Sequence, residues 1–109
     1  MKLNDIIVRD AVIASLSASE RDDVIGEMVD AVVASGVVKG AVRDELVRAI
    51  LEREKKGSTG FGKGVAVPHV KHKSIPKMCA AIGLSTRGVD FNALDRQPVY
   101  SVFLLLSPD

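Results

Sequence analysis

The sequence predicts a layered α/β domain with a small sheet. Two stretches of the first half, around Val24–Val32 and Val42–Ile50, repeat apolar residues at helical spacing. The second half carries the extended runs, above all Val99-Tyr100-Ser101-Val102-Phe103-Leu104-Leu105-Leu106. Glycines and prolines punctuate the chain between them.

In chain order, residues 1–19 hold short apolar pieces, Ile6-Ile7-Val8 and Val12-Ile13, that read as an edge strand. Ser19-Glu20-Arg21-Asp22 resembles a capping box with Asp in place of Glu or Gln, and Ser17-Ala18-Ser19-Glu20 fits the box better. Val24, Ile25, Met28, Val29 and Val32 then form one helical stripe, and Gly36 reads as its C-cap. Core packing explains that stripe better than a groove for a partner. A second helix is expected from about Ala41 to Glu54, with Val42, Leu46, Ala49 and Ile50 on one face. Arg53, Lys55 and Lys56 fall where the helix dipole favours cations, and Gly57 ends the helix. Val65-Ala66-Val67 is a short strand that Pro68 stops, which leaves His69 at a strand end. Val70–Lys77 reads as a polar, basic link, Met78–Ser85 as a strand and Thr86–Asp90 as a turn. Val99–Leu106 reads as a central strand buried on both faces.

Size and composition narrow the function. A chain of 109 residues is one domain, spanning 1–109, and 47% hydrophobic residues without a long apolar run suit a globular protein. A net charge of +1 implies no bulk attraction to nucleic acid or membrane, and 4% aromatics leave little for base stacking. The lone Cys79 excludes an internal disulfide framework and suits a reducing compartment. The start of the chain has no signal-peptide pattern, and no segment reaches membrane-spanning length, so a cytoplasmic protein is expected.

The chemistry concentrates between Arg53 and His69. A neutral imidazole can attack a phosphoryl group, and phosphoryl transfer asks mainly for in-line positioning and charge stabilisation. Arg53 and the Gly-rich segment with Ser58, Thr59 and Gly60 offer a guanidinium and amide donors for that purpose. A structural histidine is the plainer alternative for His69. Gly57–Gly64 nearly matches a P-loop, but Gly64 stands where the Mg²⁺-binding hydroxyl belongs, and the order is helix, loop, strand. His69, His72 and Cys79 lack the spacing of a zinc site, so His72 reads as solvent-facing and no metal is expected. Cys79 reads as a small core residue, and Lys71, Lys73 and Lys77 as a solvated basic rim.

The run Leu51-Glu52-Arg53-Glu54-Lys55-Lys56-Gly57-Ser58-Thr59-Gly60-Phe61-Gly62-Lys63-Gly64-Val65-Ala66-Val67-Pro68-His69 resembles the signature of the mannitol/fructose-type IIA domain of the bacterial phosphoenolpyruvate-dependent sugar phosphotransferase system (PTS EIIA type 2). The nitrogen-related regulatory IIA proteins share that signature. Gly88–Val99 and Phe103–Pro108 are similar to the same family, so the resemblance covers nearly the whole chain.

The resemblance implies an α/β sandwich with a mixed sheet. It implies that His69 accepts a phosphoryl group from a phosphohistidine carrier protein and passes it to a IIB partner, or that its phosphorylation state regulates other proteins. Arg53 would lie near the phosphorylation site, and Ser58 and Thr59 match the loop that shapes it; stabilisation of the phosphoryl group by Arg53 and phosphate binding by Ser58, Thr59 and Gly60 are inferred from their guanidinium, amide and hydroxyl donors. No metal, nucleotide or other cofactor is required, because the donor is already an activated phosphoramidate. Family members usually continue past Ser107-Pro108-Asp109 with a second histidine and two more helices; this sequence ends before them. That histidine therefore has no assignment, and His72 does not take its place. An uncovered sheet face and self-association through it are expected, and an inactive shortened relative is the further alternative.

Overall fold

The computed structural model describes residues 3–109; Met1 and Lys2 lie outside the described residues. A single helical turn, α1 (Leu3–Ile6), leads into β1 (Ile7–Ile13). The first apolar stripe becomes α2 (Arg21–Ala34), which buries Val24, Ile25, Met28, Val29 and Val32. It stops as expected at Gly36, whose φ is 85° and whose N–H reaches the Val33 carbonyl. The serine capping box does not form, since Glu20 is the N-cap and makes no side-chain cap bond. The Glu27 carboxylate instead accepts the N–H groups of Ser17 at 3.0 Å and Ala18 at 3.0 Å, which draws the serine segment onto the second turn.

A 3-10 turn (Gly40–Val42) opens the second helical stretch, so α3 proper is Arg43–Lys55. It buries Leu46, Ile50 and Glu54. Beyond it come β2 (Gly60–Gly62), β3 (Val65–Ala66), β4 (His69–Lys71), β5 (Cys79–Val89) and β6 (Val99–Ser107). The strands form one sheet in the order β1-β5-β6-β3-β2, with β4 also paired to β6. β1 runs parallel to β5, and β3 and β4 run parallel to β6. β2 is antiparallel to β3 and β5 antiparallel to β6, so the sheet is mixed. β3 and β4 share a single register on β6: Ala66 pairs with Val102 and His69 with Leu105. They are one extended run interrupted at Val67–Pro68.

Three expectations change. Thr86–Val89 is strand and not turn, because β5 runs on through a bulge between Leu84 and Val89. Gly88 makes the bulge possible at φ 95°, and a Cβ there would meet the Pro98 Cβ at 2.8 Å. The basic link begins as β4, with Val70 buried. Finally, β6 is central but buried on one face only: Val102, Leu104 and Leu106 are buried, while Ser101, Phe103, Leu105 and Ser107 are half-exposed.

That alternation divides the sheet. α2 lies against β1 and β5, α3 lies against β4, and the two helices pack on each other. Ala11, Ala66, Val70, Ala81, Val102, Leu104 and Leu106 are buried with Ile25, Met28, Leu46 and Ile50 in the core cluster. The opposite face carries Val12, 45% exposed, and Leu84, 41% exposed, beside half-exposed Ile82, Phe103 and Leu105. His69 stands on this open face, in register with Leu105.

Candidate functional site

The site grows from the end of α3. Arg53 and Glu54 sit side by side there and turn opposite ways. Arg53 is exposed and donates from Nη1 to the Gly57 carbonyl at 2.8 Å. Glu54 is only 3% exposed. Its carboxylate accepts the Thr59 N–H at 3.1 Å and also takes the Thr59 hydroxyl. A buried carboxylate persists only when hydrogen-bonded, and Thr59 supplies that satisfaction.

Thr59 is therefore committed to the loop itself. It is 2% exposed, with both its N–H and its hydroxyl on Glu54. The Gly60 N–H donates to the Ser58 hydroxyl at 3.0 Å, so these two groups also hold each other. Gly60 is required by close approach, since a Cβ there would meet the Ala93 Cβ at 2.8 Å. At the far end Lys63 and Gly64, at φ 58° and 77°, turn β2 into β3 as a hairpin. No helix follows this loop, which removes the geometry a P-loop needs.

The loop runs antiparallel to the strand that presents His69. Gly60 pairs with Ala66, and the Val67 N–H donates to the Thr59 carbonyl at 3.1 Å. Pro68 is buried and its carbonyl accepts the Leu105 N–H at 2.9 Å, which anchors the backbone just before the imidazole. The His69 ring is half-exposed, and its Nε2 lies 3.1 Å from the Ser107 hydroxyl.

His72 is not solvent-facing. Its side chain is 11% exposed, with Nε2 3.2 Å from Glu45. Nδ1 accepts the Ser74 N–H at 3.1 Å, so the ring pins the β4–β5 connection to the start of α3. Lys71, Lys73 and Lys77 are exposed around this corner. Cys79 is buried as expected, and burial pushes its thiol above the ordinary value of 9.0 while the Lys77 cation opposes the shift. Among the described residues, no cluster of three or more His, Cys, Asp or Glu side chains is placed to hold a metal. Nor is any helix among them long and apolar enough to cross a membrane.

Sequence reasoning passed over two residues that the geometry brings in. Glu54 had one local signal, a carboxylate five residues before a hydroxyl across a helix stop. Ser107 had almost none: its partner lies 38 residues away, and only its position as the polar end of an apolar strand set it apart.

A sequence profile described as "Phosphoenolpyruvate-dependent sugar phosphotransferase system, EIIA 2" matches residues 5–109. The chain is 34% identical over all of its 109 residues to a "PTS system fructose-specific EIIABC component" of Bacillus subtilis, of which it spans 17%. It is 30% identical, again over 109 residues, to a "Nitrogen regulatory protein" of Bradyrhizobium diazoefficiens, of which it spans 69%. Among solved structures, the nitrogen regulatory protein IIA-Ntr of Neisseria meningitidis superposes with a TM-score of 0.84 at 26% identity, covering 96% of this chain and 70% of that one. IIA mannitol of Escherichia coli shares the fold at a TM-score of 0.76 and 22% identity, covering 93% of this chain and 71% of its own. The mixed sheet with its two packed helices is the architecture of those proteins. With a match from residue 5 to residue 109 and relatives of both the sugar-specific and the nitrogen-regulatory kind, the chain belongs to the EIIA type 2 family of the phosphoenolpyruvate-dependent sugar phosphotransferase system.

Proposed function

We propose that the chain is a phosphocarrier whose acceptor is His69. The observation that carries this reading is a half-exposed imidazole held at one nitrogen by a hydroxyl, on a backbone anchored through Pro68. The loop paired to the preceding strand has its Gly57 carbonyl bonded by Arg53 from the end of α3. The donor is a phosphorylated histidine carrier protein. A ring nitrogen of His69 attacks its phosphorus in line; the N–P bond of the donor breaks and a new one forms on His69. Arg53 stabilises the charge on the three equatorial oxygens. Ser58, Thr59 and Gly60 form the phosphate-binding loop. Ser58 is the half-exposed member, while Thr59 and Gly60 act by holding the loop's shape. The step needs neither metal nor nucleotide, since the phosphoramidate is already activated.

The acceptor downstream is a IIB domain, in keeping with the solved complex of Escherichia coli enzyme IIA mannitol with phosphorylated IIB mannitol, whose IIA fold this chain shares. A second reading is favoured by the Bradyrhizobium relative: a regulatory protein whose phosphorylation state controls binding to a target. Both place the chain in the cytoplasm. The open sheet face, with Val12 and Leu84 exposed, supports self-association; a single monomeric species across a concentration series in sedimentation velocity would remove that element.

The test is incubation with phosphorylated carrier protein followed by mass-spectrometric site mapping. One acid-labile, base-stable phosphate on His69 is expected, lost in His69→Ala and formed more slowly in folded Arg53→Ala. A folded wild-type chain that takes no label overturns the reading. Labelled chain that passes phosphate to no IIB domain, yet binds a target only in one phosphorylation state, selects the regulatory form.

A further inference from the structure

The two ring nitrogens of His69 sit in different surroundings. Nε2 is 3.1 Å from the Ser107 hydroxyl, whereas no protein partner for Nδ1 is present among the described residues. A neutral imidazole has one N–H and one lone pair, and a serine hydroxyl can serve either. The tautomer decides which nitrogen is nucleophilic: a proton on Nδ1 leaves the lone pair at Nε2, and a proton on Nε2 leaves it at Nδ1.

Ser107 is well placed to decide this. It ends β6 in register with Lys71, two residues beyond the Leu105–His69 pair and on the same face as the imidazole. Its backbone is held on both sides. Its carbonyl accepts the His72 N–H at 3.0 Å, and the following Pro108 restricts it to extended conformations. His72 is itself pinned by Ser74 and Glu45. The hydroxyl meets no second acceptor among the described residues, so Nε2 is the group it can donate to.

We propose that Ser107 is a positioning residue for phosphoryl transfer: its hydroxyl donates to Nε2 and holds His69 as the Nδ1–H tautomer, then moves that hydrogen bond to a phosphoryl oxygen as the transfer proceeds. This rests on His69 being the acceptor. In the step, the Nε2 lone pair forms the new N–P bond, and the electron pair of the broken N–P bond returns to the donor nitrogen. Nδ1 keeps its proton throughout, and so does the Ser107 hydroxyl. The hydroxyl rotates off the lone pair as phosphorus arrives, a change of one side-chain torsion on a fixed backbone.

The experiment uses the whole chain, with phosphoramidate as a small donor so that partner docking plays no part. It compares wild type, Ser107→Ala and Ser107→Thr, and records the His69 tautomer by ¹⁵N NMR of the imidazole. We expect Ser107→Ala to slow labelling by about 10-fold, the scale of one net hydrogen bond. The same variant should raise the Nε2–H tautomer, and Ser107→Thr should restore both readouts. A merely structural role would not move the tautomer. Labelling and tautomer both unchanged in folded Ser107→Ala overturn the proposal while leaving the phosphocarrier reading intact. A predominant Nε2–H tautomer in wild type overturns it without any variant. A folded wild-type chain that takes no label from phosphoramidate or from carrier protein removes both.

Discussion

The two faces of the sheet use the same strands for different ends. On the helix-covered face, Val102, Leu104 and Leu106 of β6 are fully buried and share one core cluster with residues of α2 and α3. On the other face, Phe103, Leu105 and Ser107 alternate with them and remain half-exposed. The closed side therefore holds the core, and the imidazole proposed as phosphoryl acceptor stands on the open one. The difference shows that a single strand can belong to the core at one residue and to the site at the next.

The largest expected effect would test that division directly. Leu104→Ala should cost about 2–5 kcal/mol because it opens a cavity in packed surroundings. Leu105→Ala, one residue on, should cost about 1 kcal/mol because that side chain is already half in water. Urea denaturation measures both, and equal losses would break the comparison.

Next comes the buried side of the loop. Glu54→Ala strands the Thr59 N–H and hydroxyl and should cost about 1–3 kcal/mol. It should also loosen the Gly57–Gly60 segment, seen as faster amide exchange at Thr59 and Val67. Unchanged exchange would mean the carboxylate does not fix the loop.

A smaller effect concerns Cys79, which lies on the closed face in register with Leu106. Burial raises its folded-state pKa above 9.0, so the unfolded chain ionises first. The contribution to stability is therefore fully present below pH 9.0 and is lost as pH rises beyond it toward the folded value. Native chain should resist alkylation at pH 8 and react once unfolded; rapid native alkylation would show the face is not closed. The smallest effect belongs to the helix surface. Arg43 bonds Asp30 at 2.8 Å and so ties α3 to α2, yet both groups are well exposed. Asp30→Asn should cost about 0.2–1 kcal/mol, and less at high salt.

The helices were legible because their stripes repeat at helical spacing and Gly36 and Gly57 mark their ends. The candidate site between Arg53 and His69 was legible in the residues themselves, and the resemblance carried by one continuous run added the mixed sheet and the role proposed for His69. What stayed hidden depended on partners distant in sequence. An apolar run such as Val99–Leu106 reads the same whether one face or two are covered. The β5 bulge was masked because Thr86-Arg87-Gly88 has turn composition, and its pairing is set by Val99 and Pro98 across the hairpin. His72 looked solvent-facing because Glu45, 27 positions earlier, gives no local sign of meeting it.

The break at Val67–Pro68 carries a rule of parity. Ala66 and His69 keep the same offset on β6, yet they stand three residues apart and so point to opposite sides. Removing or adding a single residue between them, with the ladder kept in place, would rotate the imidazole in under α3 and bring Val70 out in its stead. Only changes of two residues would leave the ring facing outward. Length at this short gap thus matters to the facing of the ring, although neither intervening side chain need enter the candidate site.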